Sequence, residues 1–190
     1  MPDRHARLRA AGQRRAGAGP RRGKAPTPGL LRRVRLVLLD VDGVLTDGRL
    51  WFGPDGEEWK SFHVHDGLAI VRAIAAGLVV AVVSARQSAA VARRCAELGV
   101  TEVHQGVSDK LTAYRALCRR HGCGDEVVAA MGDDLADLPV LGRVALAVAP
   151  ADAVPEVRRA ARWVTRQPGG AGAVREVLET ILRAQNHWPR

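Results

Sequence analysis

The chain has 190 residues, a formal net charge of +9 and only 4% aromatic residues. That length suits a single domain with a proper core, which Leu, Val, Ala and Ile must fill. Three cysteines (Cys95, Cys118, Cys123) with no C-x-x-C pair exclude a disulfide frame and a cysteine zinc site, and suit reduced thiols in the cytoplasm. The charge is local as well: residues 1–35 carry +10 and the remainder −1, so the body of the protein is near neutral.

Residues 1–33 are rich in Arg, Ala, Gly and Pro, lack apolar periodicity, and read as a disordered basic extension. A domain is expected over 34–185 and a short tail over 186–190. A solvated extension or a start site assigned too early is one reading of the basic segment. Docking to nucleic acid or an anionic surface is the other. Nucleic acid is not counted among the expected partners. No targeting signal is read, because Asp40 and Asp42 interrupt the apolar run from Leu36 to Leu45.

Leu36–Leu39 reads as a buried strand that ends in Asp40-Val41-Asp42-Gly43. Arg49 to Val64 reads as an inserted hairpin, with Trp51-Phe52 and Trp59–Val64 on either side of Gly53-Pro54-Asp55-Gly56. The apolar stretch from Gly67 to Ala85 is long enough to span a membrane. Its pattern divides it into a helix, capped by Asp66 and closed at Gly77, and a valine-rich strand ending in Ser84-Ala85-Arg86. No membrane span is therefore expected. Gln87–Leu98 has helical spacing and stops at Gly99, and a short segment runs from Val100 to His104. Ser108 can cap a helix reaching about His121. Val127–Met131 reads as a strand ending in Gly132-Asp133-Asp134-Leu135-Ala136-Asp137 and leading to a short helix. Strand Val144–Val148, helix Ala153–Ala161, strand Trp163–Thr165 and helix Ala173–Arg183 complete the chain. This alternation implies an α/β fold, with a mostly parallel sheet between helices on both faces.

Asp40 and Asp42, two residues apart just past a strand end, point the same way, and Gly43 lets the chain turn. Such a place suits a hard cation and a phosphate. By itself D-x-D-G is also a common turn. The order in which it is followed by Ser84, Asp109-Lys110 and Gly132-Asp133-Asp134 carries more. In that order these pieces resemble the four motifs of the haloacid dehalogenase superfamily of phosphotransferases. Within it, Thr46-Asp47-Gly48, Lys60-Ser61-Phe62, Asp66-Gly67, Gln105-Gly106, Asp109-Lys110, Gly132-Asp133-Asp134 and Gly169 to Val177 resemble the 3-deoxy-D-manno-octulosonate 8-phosphate phosphatases, from about Leu36 to Leu182.

The resemblance implies a Rossmannoid three-layer sandwich with a small β-hairpin flap (residues 49–64) instead of a large cap domain. It implies Asp40 as nucleophile and Asp42 as general acid and base, set among the other acids of the site. Mg²⁺ would be held by Asp40, Asp133 and the backbone carbonyl of Asp42. Ser84 and Lys110 would bind the phosphate, Lys110 also holding Asp40. Asp134 and Asp137 would support the metal and Lys110, or simply cap a helix. Gly43, Thr46, Lys60, Ala85 and Arg86 complete the expected substrate contacts, with Arg86 suited to a carboxylate because a guanidinium binds one bidentately. A sugar-acid phosphate substrate, a homotetramer and a cytoplasmic step of lipopolysaccharide synthesis follow from the same likeness. A nonulosonate 9-phosphate, or a non-catalytic module docked by its basic segment, are the alternatives. Ala85 departs from the glycine usual in the family, and His65 from a longer polar residue. His63 and His65 alternate on the expected strand but find no third metal ligand nearby in sequence. Gly169–Val177 reads either as the family signature or as a flexible lead into the last helix.

Overall fold

The protein is described by a computed structural model over residues 26–189. The expectations attached to residues 1–25 lie outside the described residues. In chain order the elements are α1 (Pro28–Arg33), β1 (Leu36–Leu39), β2 (Trp51–Phe52), β3 (Glu58–Trp59), α2 (Val64–Ala75), β4 (Val79–Val83), α3 (Ala89–Glu97), β5 (Glu102–His104) and α4 (Lys110–Arg120). Then come β6 (Val128–Met131), α5 (Leu138–Leu141), β7 (Leu146–Ala149), α6 (Pro155–Ala160), β8 (Trp163–Val164) and α7 (Ala173–Ala184). Six strands form one parallel sheet in the order β5-β4-β1-β6-β7-β8, and β2 and β3 form a separate antiparallel hairpin.

The two-residue period of a strand sorts the core into two layers. Val37, Leu39, Val80, Val82, Ala129, Met131, Leu146 and Val148 pack with α1, α2, α3 and α7. Their neighbours Leu36, Leu38, Ala81, Val83, Val128, Ala130, Ala147 and Ala149 pack with α4, α5 and α6. Both faces are covered, which is why these strands read as unbroken apolar runs. The chain leaves β1 towards β4 and β5, then returns to lay β6 on the other side of β1. Such a reversal opens a crevice at the carboxyl ends of the strands. Leu39 is level with Val82 and with Met131, so Asp40, Ser84 and Asp133 emerge at the same end of the sheet, within one residue of a common level.

Several local expectations are corrected. Residues 28–33, read as extension, form α1, whose buried Leu30 and Leu31 face the core. The Gln185 side chain donates to the carbonyls of Leu31 and Val34 and ties α1 to the end of α7. The hairpin strands are only two residues long. Helix α2 begins at Val64, so His63 and His65 stand at a helix start, edge to face at 5.0 Å, rather than on a strand. Asp109, not Ser108, caps α4, accepting from the amides of Leu111 and Thr112. Asp66 does not cap its own helix. Buried, it reaches α7 and accepts from Arg175 N–H at 2.6 Å and Gly172 N–H at 3.3 Å. Gly172, at the N-cap of α7, has no side chain to do this itself. The last residues fold back, with Trp188 against the guanidinia of Arg72 and Arg175. No helix of the described residues is long and apolar enough to cross a membrane.

Candidate active site

Asp40 leaves the end of β1 with its N–H bonded to the carbonyl of Met131 on β6. Lys110, the first residue of α4, reaches into the crevice. Its Nζ donates to Asp40 Oδ1 and to Asp137 Oδ1, each at 2.7 Å. The other oxygen of Asp137 accepts from the amides of Asp133 and Asp134. Both oxygens of Asp137 are thus engaged, one orienting the lysine and one bracing the acidic loop. Asp134 is exposed, accepts from Leu135 N–H and caps the turn at 135–137, so its capping reading is the one its geometry fits. Gly43 has φ +83°, and any side chain there would collide with the Asp133 carboxylate, so a glycine lets the two loops close on each other.

Carboxylate oxygens of Asp40, Asp133 and Asp137 lie within 4.8 Å of one another. Three acids facing one lysine leave an excess of negative charge. Burial and the neighbouring Asp137 push Asp40 up to about 6 against the pull of Lys110. Burial, then Asp40 and Asp137, push Asp133 up to about 8. Burial favours a neutral Lys110, but the two carboxylates outweigh it and raise its pKa. Asp133 Oδ1 is buried without a hydrogen-bond partner among the described residues. An orphaned oxygen in an acid cluster is the donor set a hard divalent cation takes, so these residues fit Mg²⁺.

Ser84 is buried just past β4 and held by its backbone to His104 and Val107. Its Oγ accepts from the Arg86 amide at 3.1 Å. The flap lies over the other side of the site. Lys60 Nζ donates to Asp42 Oδ1 at 2.5 Å and pairs with Glu58 at 3.2 Å, leaving its side chain 1% exposed. Arg86 donates to Glu58 at 2.5 Å and approaches Asp42 to 3.7 Å. Burial pushes Glu58 up, but the cations of Arg86 and Lys60 beside it win and hold it at about 2. Asp42, expected among acids, therefore has two cations as its charged contacts.

Residues 96–178 match the model of the haloacid dehalogenase-like hydrolases. The 3-deoxy-D-manno-octulosonate 8-phosphate phosphatase KdsC of Escherichia coli K12 is 47% identical over 152 residues, covering 80% of this chain and 81% of that protein. The chain belongs to the 3-deoxy-D-manno-octulosonate 8-phosphate phosphatase family. It is a phosphatase. The solved phosphatase of that name from Yersinia pestis superposes with a TM-score of 0.83 at 44% identity, over 84% of this chain and 86% of that one. The one from Moraxella catarrhalis, in complex with a magnesium ion, a phosphate ion and a KDO molecule, gives 0.81 at 37% identity, over 84% and 91%.

The structure brings several of the expected site residues together. Asp40, Lys110, Asp133 and Asp137 come together, and Ser84 and Arg86 share the turn after β4. Thr46, expected among the substrate contacts, is buried, and its hydroxyl donates to Val41 O and accepts from Gly48 N–H, which braces the loop. Lys60, expected there too, has its Nζ enclosed between Asp42 and Glu58. Ala85 is exposed at the rim. Gly169 and Gly170 are no loose linker: side chains there would collide with the Gly43–Asp47 loop, and Gly170 N–H donates to Val44 O. Glu58 was missed. Nothing in its spacing marks it, because its partners come from other parts of the chain.

Proposed function

We propose that this phosphatase removes phosphate from 3-deoxy-D-manno-octulosonate 8-phosphate, with Mg²⁺ and through an aspartyl-phosphate, in a cytoplasmic step that supplies lipopolysaccharide. The observation that carries the reading is Asp40, held by Lys110 beside the orphaned oxygen of Asp133 at the mouth of the sheet. Phosphate monoesters hydrolyse so slowly unaided that the site must supply a nucleophile and charge neutralisation together. Asp40 attacks phosphorus, the ester P–O bond breaks, and Asp42 gives its proton to the departing sugar alkoxide. Asp42 then takes a proton from the water that attacks the aspartyl-phosphate, freeing phosphate and restoring Asp40. Lys110 and Ser84 bind the phosphoryl oxygens, and Asp137 keeps Lys110 in place. Asp40, Asp133 and the Asp42 carbonyl would hold Mg²⁺, which when bound supplies neutralisation of the phosphate charge.

Arg86, 46% exposed at the rim, is suited to the substrate carboxylate and favours a sugar acid over a neutral sugar phosphate. Free Cys95, Cys118 and Cys123 are consistent with a reducing compartment. Exposed Leu50, Trp51, Phe52 and Trp59 on the flap, and Val64, Leu68 and Val71 on one stripe of α2, are apolar surface that the proposed homotetramer would bury. The test is phosphate release from octulosonate 8-phosphate, a nonulosonate 9-phosphate and simple sugar phosphates, with Mg²⁺ and with chelator. Selective, chelator-sensitive release from the octulosonate ester supports the proposal. Preference for the nonulosonate moves the substrate, and no release from any ester refutes the activity.

A further inference from the structure

Three separate elements meet over Asp42 in a closed ring of alternating charge. Asp42 comes from the loop after β1, Glu58 and Lys60 from the flap, and Arg86 from the turn after β4. The flap strands pair over two residues only, Trp51 with Trp59 and Phe52 with Glu58. A two-stranded hairpin so short does not hold its own position, so its placement depends on contacts with the body. Lys60 supplies one, to Asp42, and Glu58 supplies another, to Arg86. One oxygen of Glu58 meets Arg86 Nη2 and the other faces Lys60 Nζ, and its side chain is 14% exposed. The two cations are left in different states. Lys60 is enclosed and aimed at Asp42. Arg86 is fixed along its Nε–Nη2 edge by Asp42 and Glu58, which leaves Nη1 without a partner among the described residues, on a guanidinium that is partly exposed.

We infer that Glu58 is a positioning residue, which locks the flap to Arg86 so that the outer N–H groups of Arg86 are presented to the substrate carboxylate. The inference rests on the proposed sugar-acid substrate, and its test separates the two. Glu58→Gln and Glu58→Asp are compared with the wild type on octulosonate 8-phosphate and on p-nitrophenyl phosphate, which has no carboxylate. Glu58→Gln lowers the preference for the acid ester by about tenfold, mainly through its KM, and Glu58→Asp restores part of it. Equal losses on both esters would reduce Glu58 to a structural residue and overturn the inference. A wild type with no preference for the acid ester sinks the substrate assignment instead. Amide hydrogen exchange of residues 50–60 then decides the role of Glu58 without substrate. Glu58→Gln and Arg86→Gln each speed flap exchange, and the double variant speeds it no further; unchanged exchange in Glu58→Gln overturns the lock.

Discussion

Replacing Lys110 with methionine keeps the length of the side chain and removes the charge that Asp40 and Asp137 share. Lys110 is 6% exposed, and its two ion pairs at 2.7 Å are equally shielded. Deleting one partner of a buried pair costs about 3–5 kcal/mol, because a charge is left alone out of water. Here the acids have an escape. Asp40 already stands at about 6, and losing Lys110 removes an attraction that lowers it. Near neutral pH it can take up a proton, at about 1.4 kcal/mol for each unit between pH and pKa. Asp137 keeps its two amide donors. The expected loss in urea unfolding, with chelator near neutral pH, is therefore about 2–3 kcal/mol, below the usual range. It shrinks at weakly acidic pH, where protonation is cheaper, and Mg²⁺ recovers most of it by replacing the missing cation. A Lys110→Met protein as stable as the wild type in chelator, or one that Mg²⁺ does not rescue, would refute this account of the centre.

The acid cluster also sets how the metal-free protein responds to pH. Asp40 and Asp133 rise on folding from 3.8 to about 6 and about 8, so the folded state binds more protons than the unfolded chain between those values. Stability therefore falls as pH rises from about 4 to about 8, the reverse of ordinary acid denaturation. Thermal melts in chelator should show Tm falling over that window, with Mg²⁺ raising Tm most at its upper end; a Tm that rises contradicts the clustering. Asp66→Ala strands two amides at the start of α7 and should cost about 2–4 kcal/mol in urea unfolding, while Asp66→Asn, which keeps an acceptor, costs less. Equal stability of both variants with the wild type would remove the helix-to-helix cap.

What the sequence makes legible follows from physical range. Apolar runs buried on both faces reveal β1, β4, β6 and β7 within a residue or two, and glycines with positive φ at Gly77, Gly99 and Gly122 mark helix ends because few other residues adopt that backbone. Asp40, Lys110 and Asp133 are legible because each follows or opens an element in order along the chain. Helix α1 is hidden because Leu30 and Leu31 are only two apolar residues among arginines, and their burial depends on α7, some 150 positions later. Asp66 looks like a cap for the nearest helix, whereas the amides it serves are 106 and 109 residues away. Glu58, and the pairing of Lys60 and Arg86 with Asp42, are hidden for the same reason: the flap brings them together, and no local period records where a hairpin folds.

The central claim is that Asp40 carries the phosphoryl group. Mass spectrometry of protein quenched in acid during turnover of octulosonate 8-phosphate tests it most directly. The account predicts one added phosphoryl group on the peptide holding Asp40, absent in Asp40→Asn and longer-lived when Asp42→Asn slows its hydrolysis. Turnover without any phosphorylated Asp40, or full activity in Asp40→Asn, would contradict it.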